Sequence, residues 1–159
     1  MVANIPYYIT TPIIEHTMKS LDVDGMTLLV QKEVAQRFSA RPGTRDYGYF
    51  TVFLNHFFEI ELLFDVPPTL FDPPPKVMSS VVKMIRKRDI YQVDIDSFQT
   101  FLKMMFAQKR KTLKNNLKTY SWEDILSVLL KHGYSIQVRA EELSYECIME
   151  LYQKLVLKN

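Results

Sequence analysis

The fold class is decided by the stretch FEIELLFDV at residues 58–66. Apolar side chains recur there at every second position, which is the period that places the side chains of a β-strand on one face. Two prolines follow and end the pattern, because proline cannot donate to a strand ladder. We therefore predict a strand with one apolar face, formed by Phe58, Ile60, Leu62, Phe64 and Val66.

Strand patterns and helical patterns alternate on both sides of this stretch. Residues 26–30 are an almost continuous apolar run, which is typical of a strand buried on both faces. Residues 79–86 carry the pattern of a further strand. Apolar side chains at helical spacing occupy residues 11–21, 31–38 and 47–57. This alternation predicts an α/β fold for the first part of the chain.

From about residue 90 onward, every apolar pattern has the spacing of a helix. Ser121 and Ser144 are predicted to cap two of these helices at their N-termini, and Gly133 is predicted to end one of them. The change of pattern near residues 88–95 is the predicted domain boundary. It separates an α/β part, residues 1–88, from an all-helical part, residues 89–159.

The composition indicates a folded protein with a packed core, because 47% of the 159 residues are hydrophobic and 13% are aromatic. No apolar run approaches the roughly 20 residues of a membrane span, and the start lacks the basic segment of a secretory signal. Cys147 is the single cysteine, and the three histidines lack metal-ligand spacing, so no metal site is predicted. We expect a cytoplasmic, monomeric protein with no membrane partner.

Charge is distributed unevenly along the chain. The balance is −4 over residues 1–75, +8 over residues 76–118 and −2 over residues 119–159. A concentrated cationic segment is the usual sign of a polyanionic partner, although a solvated helix face is the simpler alternative. The candidate nucleic-acid contacts in this segment are Arg86, Lys87, Arg88, Lys109, Arg110, Lys111 and Lys114.

The tetrapeptide Asn4-Ile5-Pro6-Tyr7 carries the candidate catalytic chemistry. It has the form (Asn/Asp)-X-Pro-(Tyr/Phe) of amino-methyltransferases, whose substrate amine is a poor nucleophile because its lone pair is delocalised into the ring. The Asn4 side-chain oxygen and the Ile5 carbonyl can accept the two amine hydrogens and favour a pyramidal nitrogen. Pro6 fixes the turn, and Tyr7 offers a face on which the base can stack. An ordinary junction between a strand and a turn is the alternative interpretation.

Further motifs follow the tetrapeptide in order, and together they resemble the small-subunit rRNA adenine dimethyltransferases, the KsgA family. The resemblance covers nearly the whole chain. The segments that carry it are Asn4–Pro12, Gln31–Arg37, Tyr47-Gly48, Val66–Pro68, Phe71–Val77, Ser79–Val82, Phe106–Leu113 and Arg139–Ser144.

This resemblance implies a Rossmann-like methyltransferase domain, of which residues 1–88 are the second half, followed by a helical RNA-binding domain at residues 89–159. It implies that the methyl donor is S-adenosylmethionine and that the substrate is N6 of two adjacent adenosines in small-subunit rRNA, modified during ribosome biogenesis. Asn4 would contact both the amine and the donor, while Tyr7 and Phe71 would stack on the two faces of the adenine. For Phe71 the alternative is a loop aromatic that caps the core. Arg139 and Glu141 are expected to form a local salt bridge or helix cap.

The resemblance lacks one part of the family pattern. The family has a Gly-x-Gly turn after its first strand for the cofactor, whereas no two of the four glycines here lie that close together. We therefore expect a fragment that holds the acceptor side of the site and is inactive by itself.

Three alternatives stay open at this point. One is a non-catalytic rRNA-binding or ribosome-assembly module, which the absent glycine-rich turn favours. Another is a methylase of the erythromycin-resistance type, which shares the tetrapeptide but modifies large-subunit rRNA. The third, a DNA adenine methylase, is disfavoured by the helical part and its basic segment.

Overall fold

The computed structural model describes residues 1–20 and 23–158, without the side chain of Tyr7. Within these residues, four strands form one sheet in the order β1-β2-β4-β3. Strand β1 is parallel to β2, and β4 runs antiparallel to both β2 and β3. The predicted α/β class is confirmed. The strands are β1 (Val2–Asn4), β2 (Gly25–Gln31), β3 (Phe58–Val66) and β4 (Ser79–Arg86).

Three helices lie between the strands in the sequence: α1 (Thr10–Lys19), α2 (Lys32–Phe38) and α3 (Tyr49–Phe57). They correspond to the predicted helices, with differences of one or two residues at their ends, where helices fray. The predicted helix over residues 11–21 ends at Lys19, because Ser20 has extended backbone angles. Its last predicted residue lies outside the described part of the chain.

One face of the sheet forms the core of this region. In β2 the buried residues alternate with half-buried ones, so the prediction of a strand buried on both faces is wrong. Helix α2 packs against β2, β3 and β4. The opposite face is more open, and Ile85 is 47% exposed there. The buried side chains of the sheet are Met26, Leu28, Val30, Phe58, Val82 and Met84.

A β-bulge changes the face on which the end of β3 presents its side chains. The register of β3 with β4 shifts between Leu62 and Phe64, because a bulge places one extra residue in one of the two paired strands. Phe64 therefore leaves the face occupied by Leu62 and is 60% exposed. The prediction of one continuous apolar face is wrong beyond Leu62. The bulge also brings Asp65 opposite the buried Ser80.

The chain divides into two compact units. The first comprises Met1–Ser39 and Leu54–Tyr91, and the second comprises Ala40–Phe53 and Gln92–Asn159. Residues 40–53 thus group with the helical part, an association that the sequence pattern does not indicate. No helix of the described residues has both the length and the apolar character needed to cross a membrane.

The helical unit is capped as the sequence predicts. The hydroxyl of Ser121 accepts a hydrogen bond from the backbone of Asp124 at 3.3 Å, and that of Ser144 accepts one from Cys147 at 3.3 Å. Gly133, with φ of 76°, follows the end of α6. The helices are α4 (Ile95–Met105), α5 (Leu113–Asn116), α6 (Trp122–Lys131) and α7 (Tyr145–Tyr152).

Candidate functional site

The tetrapeptide begins where β1 ends. Asn4 is the last residue of this strand and pairs with Leu29 of β2. The side chain of Ile5 is buried, at 3% exposure, whereas Asn4 is exposed. Ile5 therefore anchors the backbone in the core, and the neighbouring amide of Asn4 stays open to a ligand.

A short 3-10 turn at Tyr7–Ile9 follows immediately. The carbonyl of Pro6 accepts a hydrogen bond from the backbone of Ile9 at 3.1 Å and one from the hydroxyl of Thr10 at 3.5 Å. This turn leaves Tyr8 85% exposed. The ring of Tyr7 lies outside the described part of the structure, so its stacking role stays a prediction.

The second predicted stacking residue, Phe71, lies on the loop from β3 to β4, which begins at the end of the sheet where β1 also ends. Strands β1, β2 and β3 all run in one direction, and Gln31 and Val66, the last residues of β2 and β3, both pair with Ser79. Phe71 is half-buried, and its backbone donates to the carbonyl of Pro68 at 3.1 Å. Open α/β sheets bind ligands beyond this edge, at the carboxyl ends of their strands.

A polar cluster that the sequence did not predict joins three elements at this edge. The ammonium of Lys32, at the start of α2, lies 2.6 Å from Asp65 at the end of β3. The other carboxylate oxygen of Asp65 accepts from the hydroxyl of Ser80 at 2.6 Å. Hydrogen bonds from Lys32 and Ser80 hold the pKa of the Asp65 carboxyl below its ordinary value of 3.8. No sequence signal pairs these residues, because their contact depends on the bulge in β3.

Three of the predicted RNA contacts lie in the first unit, and two of them, Arg86 and Lys87, form hydrogen bonds within the fold. The guanidinium of Arg86 donates to the carbonyls of Val23 at 2.9 Å and Ser20 at 3.1 Å, and it lies 5.0 Å from the ring centroid of Phe58. Lys87 is exposed and donates to the backbone of Asn55 at 2.6 Å. Arg88 is exposed. Arg86 is half-buried and its guanidinium is used within the fold, whereas the other six predicted cations are exposed.

The other four predicted contacts are exposed on the helical unit. Lys109, Arg110 and Lys111 lie in a turn after α4, and Lys114 lies in the one-turn helix α5. The ammonium of Lys114 is 4.7 Å from the ring centroid of Trp122. The segment is thus a turn and a short helix rather than the face of one long helix.

The pairing expected between Arg139 and Glu141 is replaced by other contacts. The backbone of Arg139 donates to the carboxylate of Glu142 at 2.7 Å. The carboxylate of Glu141 instead lies 3.9 Å from the ammonium of Lys109. The local cap is therefore formed by the neighbouring glutamate, and Glu141 contacts the basic turn, which comprises residues 107–111.

The four glycines of this chain do not form the glycine-rich turn of a nucleotide-cofactor site. Gly25 begins β2, Gly43 and Gly48 lie before α3, and Gly133 follows α6, so none of them forms a glycine-rich turn between a strand and a helix. A phosphate- or ribose-binding turn of that kind needs closely spaced glycines. Among the described residues, no group of three or more histidine, cysteine, aspartate or glutamate side chains is arranged to hold a metal ion.

Comparisons with known proteins agree on one family. The family described as ribosomal RNA adenine dimethylase matches residues 1–156. A ribosomal RNA small subunit methyltransferase A from Caldanaerobacter subterraneus subsp. tengcongensis is 47% identical over 164 residues, covering 99% of this chain and 60% of the relative. One from Neisseria gonorrhoeae is 42% identical over 161 residues, covering 99% of this chain and 61% of the relative. The chain thus spans about three-fifths of the length of each of these two relatives.

Two solved structures share the fold. A dimethyladenosine transferase from Plasmodium falciparum superposes with a TM-score of 0.78 at 24% identity, covering 94% of this chain and 64% of the other. The 23S rRNA methyltransferase ErmE superposes with a TM-score of 0.71 at 23% identity, covering 97% of this chain and 64% of the other. At these identities the likeness establishes the fold alone.

Proposed function

We propose, because this chain belongs to the ribosomal RNA adenine dimethylase family, that it forms the acceptor side of a methyltransferase active site. The reaction is the transfer of methyl groups from S-adenosylmethionine to N6 of two adjacent adenosines in small-subunit rRNA. It would take place in the cytoplasm during ribosome biogenesis. The protein that carries the chain is proposed to act on its RNA as a monomer.

The position of Asn4 is the observation that carries this proposal. Its exposed amide stands at the carboxyl end of β1, directly before the buried Ile5. The loop with Phe71 leaves the sheet from the same edge. An adenine held beyond this edge has an amide oxygen available for its amine and an aromatic residue available for its ring.

The proposed role of the tetrapeptide is to position the amine and stabilise its changing charge. Asn4 and the Ile5 carbonyl accept hydrogen bonds from the amine, which favours the pyramidal nitrogen and disperses its developing positive charge. Pro6 fixes the backbone so that the carbonyl keeps its direction. Tyr7 and Phe71 are proposed to hold the ring by stacking, as enzymes hold bases that have left a helix.

The donor side is not supplied by the residues of this chain. Asn4 is the one residue that the family pattern assigns to the donor, and no glycine-rich turn accompanies it. We therefore propose that the chain alone is inactive.

RNA binding is proposed for the six exposed cations. Lysine and arginine side chains that contact phosphates give affinity that depends on salt and little on sequence. That mode suits a folded RNA recognised by shape. The cations are Lys87, Arg88, Lys109, Arg110, Lys111 and Lys114.

The test is methyl transfer by the complete gene product that contains this sequence. Tritiated S-adenosylmethionine is offered with small-subunit particles or with large-subunit rRNA, and we expect label in adenosines of the small subunit. Asn4→Ala should lower kcat by roughly 10²–10³, the usual effect of losing one hydrogen-bonding group at a transition state. Gln36→Ala, which removes an exposed amide on α2, is the control and should keep full activity. Labelling of large-subunit rRNA alone, or an unaffected Asn4→Ala enzyme, would contradict the proposal.

A non-catalytic RNA-binding module is the second candidate, and the absent glycine-rich turn favours it for the isolated chain. Calorimetry of this chain with S-adenosylmethionine tests whether the isolated chain binds the methyl donor. We expect no heat of binding. Tight binding would contradict the assignment of the chain to the acceptor side. RNA binding without any methyl transfer by the complete gene product would favour the non-catalytic module.

A further inference from the structure

In the helical unit, a loop that is distant in sequence from the basic turn is held beside that turn. This arginine loop comprises residues 41–46. The backbone of Gly43 donates to the carbonyl of Glu141 at 2.7 Å, and the ammonium of Lys109 donates to the carbonyl of Arg45. The contact of Lys109 joins the loop to the basic turn, although more than sixty positions separate Arg45 from Lys109.

Tyr47, the residue that follows the loop, holds the end of the loop in place. Tyr47 is buried, and its hydroxyl donates to the carbonyl of Leu143 at 3.2 Å. Its ring packs edge-to-face against Phe106, with centroids 6.0 Å apart. A buried aromatic with a satisfied hydroxyl is a firm anchor. The loop is therefore attached to the helical unit at its middle and at its end.

The fixed backbone turns two guanidinium groups toward solvent. Arg41 and Arg45 are both exposed. The backbone and hydroxyl of Thr44 donate to the carbonyl of Arg41 at 3.2 Å and 2.7 Å, which closes a turn. Gly43 allows this turn because its φ of 83° is unfavourable for other residues. The contacts that fix the loop thus use backbone groups and leave both arginine side chains for a ligand.

Positive charge dominates the combined surface. Arg41 and Arg45 add to Arg110 and Lys111, and the acidic residues adjoining this surface in sequence or contact are Asp46, Glu141 and Glu142. The carboxylate of Glu141 is directed at Lys109, with 3.9 Å between the charged atoms. Lys109 is therefore engaged with the loop and with Glu141, whereas the other cations keep their charge available.

We infer that the arginine loop and the basic turn form one phosphate-binding surface, in which Arg41 and Arg45 contact the phosphodiester backbone of RNA. In addition to its proposed RNA contact, Lys109 is a positioning residue that holds the loop. This inference rests on the proposed RNA-binding function and adds two contacts that lie outside the basic segment of the sequence.

The side chains of this surface suit the RNA backbone rather than its bases. Neither the arginine loop nor residues 107–111 contains an aromatic residue on which a base could stack. Guanidinium groups bind phosphate oxygens through paired N–H donors. Contacts of this kind position a protein on RNA without reading its sequence.

The experiment measures binding of this chain to a fluorescein-labelled RNA hairpin by anisotropy, at salt concentrations from roughly 50 to 200 mM. The double variant Arg41→Ala with Arg45→Ala removes two charges and leaves the Lys109 contact with the loop backbone. We expect weaker binding and a log–log salt slope smaller by about two, since each lost phosphate contact reduces it by about one.

Two further double variants test whether the change in binding is specific to the arginine loop. Lys131→Ala with Lys154→Ala removes the same charge elsewhere on the unit, where these lysines pair with Glu150 at 2.8 Å and Asp124 at 3.4 Å. It should keep the wild-type slope. Arg110→Ala with Lys111→Ala tests the proposed function itself and should weaken binding.

The outcomes separate the inference from the proposed function. If Arg110→Ala with Lys111→Ala weakens binding while the loop variant keeps wild-type affinity and slope, the inference is overturned and the proposed function stands. If the wild-type chain does not bind the hairpin, both are overturned. An equal loss in the loop variant and in Lys131→Ala with Lys154→Ala would reduce the effect to net charge and overturn the inference. Circular dichroism spectra equal to wild type verify that each variant is folded.

Lys109 receives its own test, with a readout that a direct phosphate contact would not change. Lys109→Met removes the hydrogen bond to the Arg45 carbonyl and should expose the Arg45–Asp46 bond to trypsin in the absence of RNA. Arg110→Met is the matched control and should keep the wild-type cleavage rate at that bond. Equal cleavage rates in wild type and Lys109→Met would contradict the positioning role.

Discussion

The ammonium of Lys32 lies 2.6 Å from the carboxylate of Asp65, and this pair joins the start of α2 to the end of β3. Asp65 reaches this position because the bulge between Leu62 and Phe64 switches the sheet face toward which the following side chains point. The same carboxylate accepts from Ser80, at the start of β4. The cluster therefore fixes both ends of the loop that carries Phe71, which leaves β3 and returns as β4.

Asp65→Asn should weaken this cluster and change how stability depends on pH. Because hydrogen bonds hold the pKa of Asp65 below its ordinary value of 3.8, the unfolded chain binds a proton more readily than the folded chain. The carboxylate therefore stabilises the fold above that ordinary value, and this contribution is lost as the pH falls through the lowered pKa. Urea unfolding from neutral to acid pH should show a smaller acid destabilisation in Asp65→Asn than in wild type.

Glu59→Gln is the control for this measurement, since Glu59 is exposed at the other end of the same strand. It should retain the acid destabilisation of the wild-type protein. A wild-type acid profile in Asp65→Asn would show that the contact with Lys32 contributes nothing measurable.

Local patterns predicted the elements of the fold but not the contacts that depend on tertiary structure. The period of two at residues 58–66 correctly predicted a strand, because that period arises from the backbone itself. Leu63 interrupts the alternation of apolar and polar residues, but an apolar residue at an outward position does not by itself predict a bulge. The prediction that residues 58–66 keep one apolar face therefore failed at Phe64.

The candidate site was predictable to a similar extent. The tetrapeptide identified Asn4 and the end of a strand, because proline and the residue types required by amine chemistry are visible in the sequence. The association of residues 40–53 with the helical unit was not predictable, since it rests on the buried contact of Tyr47 with Leu143. The partner of Glu141 was mispredicted for the same reason: Lys109 is distant in sequence.

His56 should make the fold sensitive to mildly acid pH. It is 1% exposed, and burial lowers its pKa from 6.5 to about 4, although a hydrogen bond to the backbone of Tyr91 acts in the opposite direction. Between these two values the unfolded chain binds a proton that the folded chain does not, so stability falls as the pH falls from 6.5 toward 4. Once the pH lies below both values, the loss in the free energy of unfolding is on the order of 3 kcal/mol.

Urea unfolding of wild type and His56→Phe across this pH range measures the effect. The phenyl ring can keep the edge-to-face contact with Phe57, whose centroid lies 4.6 Å away. The variant should have a flatter profile between the two pKa values. Equal slopes in the two proteins would exclude His56 as the origin of the pH dependence.

Tyr47→Phe should destabilise the helical unit. The hydroxyl of Tyr47 donates to the carbonyl of Leu143 at 3.2 Å in a buried setting, and burial raises the pKa of this hydroxyl well above its ordinary value. Its removal leaves the carbonyl without this donor, which costs roughly 1–3 kcal/mol. Urea unfolding should show a lower midpoint with an unchanged slope.

Tyr8→Phe is the matched control for Tyr47→Phe, because Tyr8 is 85% exposed. The loss of a hydroxyl in contact with water should change the free energy of unfolding by less than about 0.5 kcal/mol. Equal midpoints for the two variants would mean that the bond to Leu143 does not stabilise the attachment of residues 40–53.

Cys147 should be unreactive in the folded protein, although it is the only thiol of the chain. It is fully buried in α7, and burial raises its pKa to about 12, with a further contribution from the charge of Glu150. The thiolate is the reactive form, so both its formation and its access are suppressed. Reaction with a disulfide reagent at neutral pH should follow the unfolding rate of the helical unit and should be immediate in denaturant. Ser135→Cys, which places a thiol at an exposed position, should react at once without denaturant. Fast labelling of wild type in its folded state would mean that α7 opens readily, and the helical unit would then be less rigid than its packing indicates.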